Sequence, residues 1–350
     1  MPHLSHDDLT RTIFPVAAEL TGGRATKLET LPGGASIRRY HRITIDGGNA
    51  STLVVMELGD NPLKSEEAGK GAAPTELPFI NIQRYLARAG ASVPAIHRFD
   101  AEGGFLYLED LGDVTFESRV SDANDDVRAR YYRAAIAQLV ALQRYAAEHP
   151  DNDCIAFSRG FDYDLLKWEL DHFREYGLEA QGHQPSPSER EELERIFKRI
   201  AEELAAEPRG FVHRDYQSRN LMVQDSSIGP RLRIIDFQDA LLGTRAYDLV
   251  GLLRDSYVAL SPSLLDGLVS HYVAEAGAEA AKFGRLFDLQ VVQRKLKDAG
   301  RFVFIDRVKK NPSFLAHIPN SLEYVARSLS RLPELESLRE ILAHHLECFR

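Results

Sequence analysis

The chain has 350 residues, of which 44% are hydrophobic and 27% charged, and 43 Lys and Arg against 52 Asp and Glu leave a net charge of −9. This composition excludes a disordered or fibrous chain, and the acidic balance argues against nucleic acid as a partner. Cys154 and Cys348 are too few for a disulfide framework or a cysteine-rich zinc site. With no apolar run of membrane-spanning length and no secretory signal, we expect a cytoplasmic protein without a membrane partner.

The first 110 residues predict a small antiparallel sheet with helices beside it. A helix follows Ser5 and ends at Gly22 and Gly23, because its apolar residues recur at helical spacing up to that point. Strands are predicted at 27–31, 39–45, 52–58, 95–99 and 105–109, a mobile loop at 59–78 and a helix at 79–89. Two glycines, Gly33 and Gly34, mark the turn before the second strand.

Long amphipathic helices dominate the chain after Gly112. They are predicted at 124–148, 162–177, 188–206, 246–260, 263–276, 281–305 and 334–347, with short strands at 211–213, 221–224 and 232–236. The pattern predicts an α+β protein with a sheet-bearing N-lobe at 1–110 and a mainly helical C-lobe at 111–350.

The strongest chemical signal is the segment FVHRDYQSRNLMV at 211–223. Its His-Arg-Asp triplet ends at Asp215 and Asn220 follows, with apolar strands on both sides, while Asp236 follows a further apolar strand. Phosphoryl transfer from ATP needs a carboxylate that orients the attacking hydroxyl and accepts its proton, together with oxygen ligands for magnesium. The spacing predicts Asp215 as that carboxylate and Asn220 and Asp236 as the Mg²⁺ ligands.

This constellation resembles the protein-kinase-like fold. Gln238 stands where protein kinases have glycine. With this glutamine, the motif resembles that of the aminoglycoside and choline kinase branch, whose members phosphorylate small molecules. Segments that resemble the bacterial anomeric kinases of N-acetylmuramate and N-acetylglucosamine lie at 31–40, 106–112, 161–170, 247–257 and 293–300. The resemblance implies a bilobal enzyme with ATP and Mg²⁺ as cofactors. It also implies an amino-sugar acceptor, phosphorylated at its C1 hydroxyl in cell-wall recycling.

The same resemblance implies where the nucleotide binds. The glycine turn before the second strand would lie near the phosphates, and it contains Gly33, Gly34 and Ser36. The segment between the lobes would place backbone groups near Leu108 and Asp110 against the adenine.

The third strand lacks the lysine that kinases usually hold over the ATP phosphates, since residues 53–58 read LVVMEL. On the preceding strand Arg38, Tyr40 and Arg42 share one face, because side chains in a strand alternate. We predict that Arg38 or Arg42 replaces the missing cation. The alternative is that both arginines are solvated and that Mg²⁺ alone compensates the phosphate charge.

Other polar residues have supporting roles in this interpretation. Asp248, at a helix start, would brace the catalytic loop, His213 would bond to backbone, and Arg214 would pair with a nearby carboxylate. Four further residues are candidates for substrate contact. Arg254 and Asp255 are better explained as an intrahelical or loop-bracing pair, whereas a solvated helix face would explain Gln293 and Arg294 equally well.

Two other hypotheses stay open. The acceptor could be choline, homoserine, a thio-sugar or an aminoglycoside. The chain could also be a catalytically weak pseudokinase that serves as an interaction module, which the missing lysine favours and the three intact catalytic-type residues oppose. The lack of an activation segment of the usual length and of Ala-Pro-Glu after Asp236 argues against a protein kinase. We expect a monomer whose partners are ATP and a small-molecule acceptor.

Overall fold

The computed structural model describes residues 5–32, 38–59, 75–227 and 229–350. Helix α1, His6–Thr21, precedes a five-stranded antiparallel sheet with the spatial order β1-β2-β3-β5-β4. Its strands are β1, Arg24–Thr30; β2, Arg39–Asp46; β3, Thr52–Glu57; β4, Ile96–Asp100; and β5, Phe105–Leu108. Helix α2, Pro78–Arg88, connects β3 to β4 in the chain.

The two faces of this sheet pack against different cores, because neighbouring side chains in a strand point to opposite sides. Ile43 and Val55 pack against α1 in a small apolar cluster, and the Ser5 side chain caps that helix by accepting the Asp8 N–H. Val54 and Met56 belong instead to the main core, shared with the helical part of the chain. The second face of the sheet therefore looks toward the rest of the protein.

The remainder of the chain is mainly helical. Its α-helices are α3, Phe116–Val120; α4, Asp125–Glu148; α5, Tyr163–His172; α6, Pro187–Ala206; α7, Tyr247–Leu253; α8, Pro262–Ala276; α9, Ala280–Lys309; α10, Ile318–Leu329; and α11, Glu336–His345. A π-helical segment, Phe173–Leu178, continues α5, and short 3₁₀ helices occupy Ile155–Ser158, Glu179–Gln181, Ser218–Asn220, Pro312–His317, Pro333–Leu335 and Glu347–Phe349. Within the described ranges, no helix is both long and apolar enough to cross a membrane.

Two small strand pairs lie within the helical part. Strands β6, Arg209–Val212, and β9, Leu241–Thr244, form one pair, and β7, Leu221–Ser226, and β8, Gly229–Ile234, form the other. Both pairs are antiparallel, so the segments 213–220 and 235–240 connect them at neighbouring ends. These two segments carry the polar motifs that the sequence analysis singled out.

The predicted α+β class is confirmed, although some elements differ from the prediction. The predicted helix 246–260 ends at Leu253, because the Asp255 carboxylate turns to accept the N–H groups of Ser218 (2.8 Å) and Tyr257 (3.0 Å). Helices α3 and α10 and strand β9 were not predicted. The expected mobile loop at 59–78 lies largely outside the described residues.

Candidate active site

The predicted catalytic carboxylate lies in the loop 213–220, which is called the catalytic loop below. This loop begins where β6 ends at Val212. Asp248, in the first turn of α7, accepts the backbone N–H of His213 at 2.7 Å and that of Arg214 at 3.0 Å. Its carboxylate is fully buried, and burial raises its pKa against the lowering effect of these two bonds. One buried side chain thus satisfies two consecutive backbone donors and fixes the start of the loop.

His213 connects this loop to the segment after β8. Its Nδ1 accepts the Asp215 N–H at 3.2 Å, and its Nε2 lies 3.0 Å from the Ile235 carbonyl oxygen. An imidazole that accepts at Nδ1 carries its proton on Nε2, so Nε2 donates to Ile235. Burial lowers the pKa of His213, which favours this neutral form. The ring is therefore a backbone link and has no nitrogen left for substrate.

Asn220 lies where the catalytic loop meets the β7–β8 hairpin. The hairpin pairs Leu221 with Ile234, so the residues just outside it are neighbours. Ile235 donates its N–H to the Asn220 carbonyl at 3.0 Å, and the Asn220 side-chain Nδ2 donates to the Asp215 carbonyl at 2.9 Å. With its nitrogen committed, the Asn220 amide presents its oxygen as the group that can bind a cation.

Asp236 follows β8 and lies close to Asp215. Among the described residues three non-glycine residues have positive φ, and two of them are Arg214 (+80°) and Asp236 (+61°). Such backbone is costly for a residue with a Cβ, so both positions store strain. The Gln238 Nε2 donates to Asp236 Oδ1 at 2.8 Å. Burial and then the charge of Asp215 raise the pKa of Asp236 to about 6.

This donor set fits a divalent cation of the magnesium type. The Asp236 carboxylate is held beside that of Asp215 at the expense of its own ionisation, and the Asn220 amide adds a second oxygen donor nearby. In the part of the chain that the structure describes, no group of three or more His, Cys, Asp or Glu could hold a metal alone. Magnesium suits such a site, because it is held by one or two protein groups together with phosphate oxygens.

The second face of the sheet approaches Asp236 through β2. Tyr40 pairs with Met56 of β3, the strand that lacks the usual lysine. Burial and then the charge of Asp236 raise the pKa of Tyr40 to about 12, and a hydrogen bond from Arg38 acts in the opposite direction. The charge of Arg38 in turn acts to lower the pKa of Asp236, against the larger effects of burial and Asp215 that raise it. Arg38 and Tyr40 are therefore on the same side of the molecule as the candidate metal site.

Arg42 has a different environment, although it shares that strand face. Its Nε and Nη2 donate to the two carboxylate oxygens of Asp110, at 2.6 and 3.0 Å, and its Nη1 donates to Asp113 at 2.7 Å. The Gly112 N–H also bonds to Asp110. Burial opposes ionisation of Asp110, but the Arg42 hydrogen bond lowers its pKa below the usual range. Two carboxylates thus balance the Arg42 charge, which argues against a phosphate-binding role for it.

The segment between the sheet and the helical part is anchored on both sides. Leu108 pairs with Val54 of β3 and Ile96 of β4. The next residue, Glu109, accepts two bonds from Arg233 of β8, at 2.8 and 2.6 Å. The predicted glycine-turn residues lie outside the described ranges: Gly33, Gly34 and Ser36.

Two of the four predicted substrate residues support the fold from within. Arg254 is 3% exposed, and its guanidinium lies 5.0 Å from the centre of the Tyr324 ring. Asp255 is 1% exposed and accepts the Ser218 N–H inside the catalytic loop. These contacts support the fold, and the predicted substrate contact of both residues stays a prediction.

The other two, both on α9, are also buried beneath the loop. Gln293 donates to Glu169 of α5 at 2.7 Å, and Glu169 lies 3.6 Å from the Arg214 guanidinium as its ion-pair partner. Arg294 donates to the Arg214 carbonyl at 2.6 Å. Arg294 thus contacts the loop directly and Gln293 reaches it only through Glu169, and substrate contact at these two positions stays a prediction.

A group that the sequence analysis did not single out lies beside the catalytic loop. Asp298 pairs with Lys295 at 2.6 Å and Lys297 at 3.2 Å, and the charges of these lysines lower its pKa although burial opposes this. Burial is the main cause that raises the pKa of Tyr257, to which the charges of Asp298 and Asp215 also contribute. Asp298 lies one turn after the predicted α9 candidates, a spacing that could have identified it.

Comparison with known proteins agrees with this geometry. The model of the family described as "Phosphotransferase enzyme family" matches residues 27–283. A Pseudomonas putida protein named N-acetylmuramate/N-acetylglucosamine kinase is 31% identical over 327 residues, which cover 91% of this chain and 88% of that protein. A Pseudomonas aeruginosa protein of the same name is 33% identical over 336 residues, covering 92% and 90%.

A solved structure shows the same fold at low sequence identity. The GDP complex of wild-type aminoglycoside 2'-phosphotransferase-IIIa superposes with a TM-score of 0.60 at 16% identity, covering 94% of this chain and 99% of that one. This likeness confirms the protein-kinase-like architecture and extends over both the sheet and the helical part.

Proposed function

The chain belongs to the phosphotransferase enzyme family, and we propose that it transfers the γ-phosphoryl group of ATP to the C1 hydroxyl of N-acetylmuramate or N-acetylglucosamine. The observation that carries the proposal is the assembly of Asp215, Asn220 and Asp236 by one loop and one hairpin. The choice of acceptor rests on the two Pseudomonas relatives, whose similarity extends over about nine-tenths of this chain.

In this proposal Asp215 acts on the acceptor. The C1 hydroxyl oxygen attacks the γ-phosphorus, the bond from that phosphorus to the β–γ bridging oxygen breaks, and ADP leaves. The Asp215 carboxylate orients the hydroxyl and takes its proton. The loop bonds from Asp248 and His213 hold the backbone of this segment, so the carboxylate needs little rearrangement before the reaction.

Asn220 and Asp236 would hold Mg²⁺, which would offset the negative charge that develops on the phosphate groups. The Gln238 hydrogen bond orients the Asp236 carboxylate toward this task. We assign the cation that replaces the third-strand lysine to Arg38, because its charge acts on Asp236 whereas two carboxylates already balance Arg42. The acceptor would bind beside the loop, where Tyr257 and Asp298 approach Asp215.

A panel of acceptors tests the proposal. The purified protein is incubated with ATP, Mg²⁺ and one of N-acetylmuramate, N-acetylglucosamine, choline, homoserine or an aminoglycoside, and products are identified by phosphorus NMR. We expect a sugar 1-phosphate, whose signal differs from that of a 6-phosphate, with at least one of the two amino sugars. The Asp215→Asn protein is the matched control for contaminating kinases.

Two outcomes would contradict this assignment. Phosphorylation of choline or an aminoglycoside without either amino sugar would place the acceptor in another class. A 6-phosphate as the main product would retain the amino sugar but refute the anomeric position.

A further inference from the structure

Arg294 of α9 is buried directly beneath the catalytic loop. The residue is 1% exposed, its Nη1 donates to the Arg214 carbonyl at 2.6 Å, and its Nη2 lies 3.7 Å from Asp215 Oδ1. One guanidinium therefore contacts both the peptide that leads into Asp215 and the carboxylate of Asp215 itself. Its planar, forked geometry suits such a double contact better than an ammonium group would.

The surroundings leave this guanidinium little freedom. Its central carbon lies 4.4 Å from the centre of the Tyr247 ring, at a distance typical of cation–π contact. On another side it packs against Gly251, where an added Cβ would lie 3.1 Å from Nη2. Burial opposes its charge, but Asp298, Asp215 and Asp248 raise the pKa of Arg294 above its usual value, so the group stays ionised.

The Arg214 contact falls at a strained point of the loop. Arg214 adopts φ of +80°, a conformation that a residue with a Cβ holds only when surrounding contacts stabilise it. Asp248 accepts the N–H of Arg214, and Arg294 donates to the carbonyl of Arg214. The peptide groups on both sides of the strained residue are therefore held by side chains.

From this geometry we propose that Arg294 is a positioning residue for phosphoryl transfer, which sets the orientation of the Asp215 carboxylate by holding its side chain and the preceding carbonyl. The inference rests on the proposed function, since it requires Asp215 to act on the acceptor. Arg294 does not contact substrate in this scheme, and its effect passes through Asp215. Its loss should lower kcat without weakening the binding of either substrate.

Three variants test the inference. For Arg294→Gln we expect kcat to fall about 10²-fold, the effect of misplacing a reacting group by roughly 1 Å, with KM for ATP and for the sugar within about threefold of wild type. Arg294→Lys should recover part of kcat, because it restores the charge without the fork. Gly251→Ala keeps Arg294 but places a Cβ 3.0 Å from the Tyr216 carbonyl oxygen and 3.1 Å from Arg294 Nη2. Because it crowds both the loop and the guanidinium, it should also lower kcat, although alanine favours the helix there.

Arg285→Gln is the matched control, because it removes an arginine from the same helix at a surface position paired with Glu203 and Glu334. We expect its kcat to be unchanged. Thermal unfolding of each variant shows whether it is folded at the assay temperature, and if Arg294→Gln is not, the kcat and KM values of Arg294→Lys decide the question.

A double-variant comparison separates this inference from the proposed function. If Arg294 acts through Asp215, adding Arg294→Gln to Asp215→Asn should cost less than about threefold more in kcat. A full additional loss, a raised sugar KM with unchanged kcat, or wild-type kcat in the folded variants would each overturn the positioning role. Near-native kcat in Asp215→Asn alone would instead refute the assignment of Asp215 in the proposed function.

Discussion

The carboxylate of Asp215 lies close enough to that of Asp236 for its charge to help raise the Asp236 pKa to about 6. Burial is the larger cause of that shift, and the charge of Asp215 is the second. Two carboxyl groups that lie close together in different environments can have different roles. One can act on the acceptor hydroxyl while the other binds a cation.

Asp215→Asn tests the acceptor side of this division. We expect kcat to fall by about 10²–10⁴-fold, because the amide keeps the shape of the side chain but cannot take the hydroxyl proton. Affinity for MgATP should change little, since the assigned metal ligands stay in place. Steady-state kinetics and nucleotide binding by calorimetry measure the two quantities, and near-native turnover would contradict the assignment.

Asp236→Ala tests the cation side. Nucleotide affinity should drop in the presence of Mg²⁺ and stay close to that of wild type when EDTA removes the metal, because the lost carboxylate acts through the ion. Activity should be abolished. A variant that binds MgATP as tightly as the parent protein would show that Asp236 is not a metal ligand.

The raised pKa of Asp236 also predicts a pH dependence. The folded protein binds this proton more tightly than the unfolded chain, so the favourable contribution is complete below about pH 4 and is lost as pH rises through about 6. Above pH 6 the ionised carboxylate destabilises the metal-free protein, and Mg²⁺ with nucleotide can compensate. The ligand-induced rise in unfolding temperature should therefore be larger at pH 7.5 than at pH 5.

Asp236→Asn is the control for this measurement, since its side chain has no proton to exchange. In that variant the ligand-induced rise should be small and should lose most of its pH dependence. If the wild-type protein shows the same rise at pH 5 and pH 7.5, proton competition at Asp236 is refuted.

Alanine substitutions of Arg38, just before β2, and of Arg42, within β2, should have different effects. Arg38→Ala should lower kcat/KM for ATP about ten- to a hundredfold, the effect of losing one charge-assisted phosphate contact. Arg42→Ala should leave that parameter nearly unchanged but lower the free energy of unfolding by about 1–3 kcal/mol, because Asp110 stays buried without its main partner.

Arg38→Lys and Met56→Lys are the informative companions to these variants. Lysine at 38 should restore part of the lost efficiency, and lysine at 56 in the Arg38→Ala background should restore some of it, because it lies on the strand where other kinases keep theirs. If Arg38→Ala retains full efficiency for ATP, the compensating charge comes from magnesium or from the helical part.

The catalytic segment was predictable because its information is local. Apolar runs predict the strands on both sides of Asp215 and the strand before Asp236, and antiparallel pairing then brings Asn220 next to the segment after β8. The helix starts were equally local, as the cap at Ser5 shows. No long-range knowledge was needed to expect these three polar groups in one place.

Residues on α9 show where sequence patterns stop being informative. Gln293 and Arg294 are spaced like a solvated helix face, yet both are buried, because α9 is surrounded and its polar groups find partners on other elements. The partner of Arg294 is about 80 positions away in the chain. Periodicity distinguishes the apolar face of a helix from its polar face. It does not distinguish a solvated polar face from a buried polar face that supports a distant loop.

At Asp236, selection for heat resistance and selection for catalysis would favour different residues. Its backbone strain and its buried carboxylate both work against the folded state when no ligand is present. A glycine there would relieve the conformation and remove the buried charge at once. Selecting only for survival of heating would therefore enrich stable, inactive descendants, and a laboratory lineage would keep its enzyme only if turnover were screened in every round.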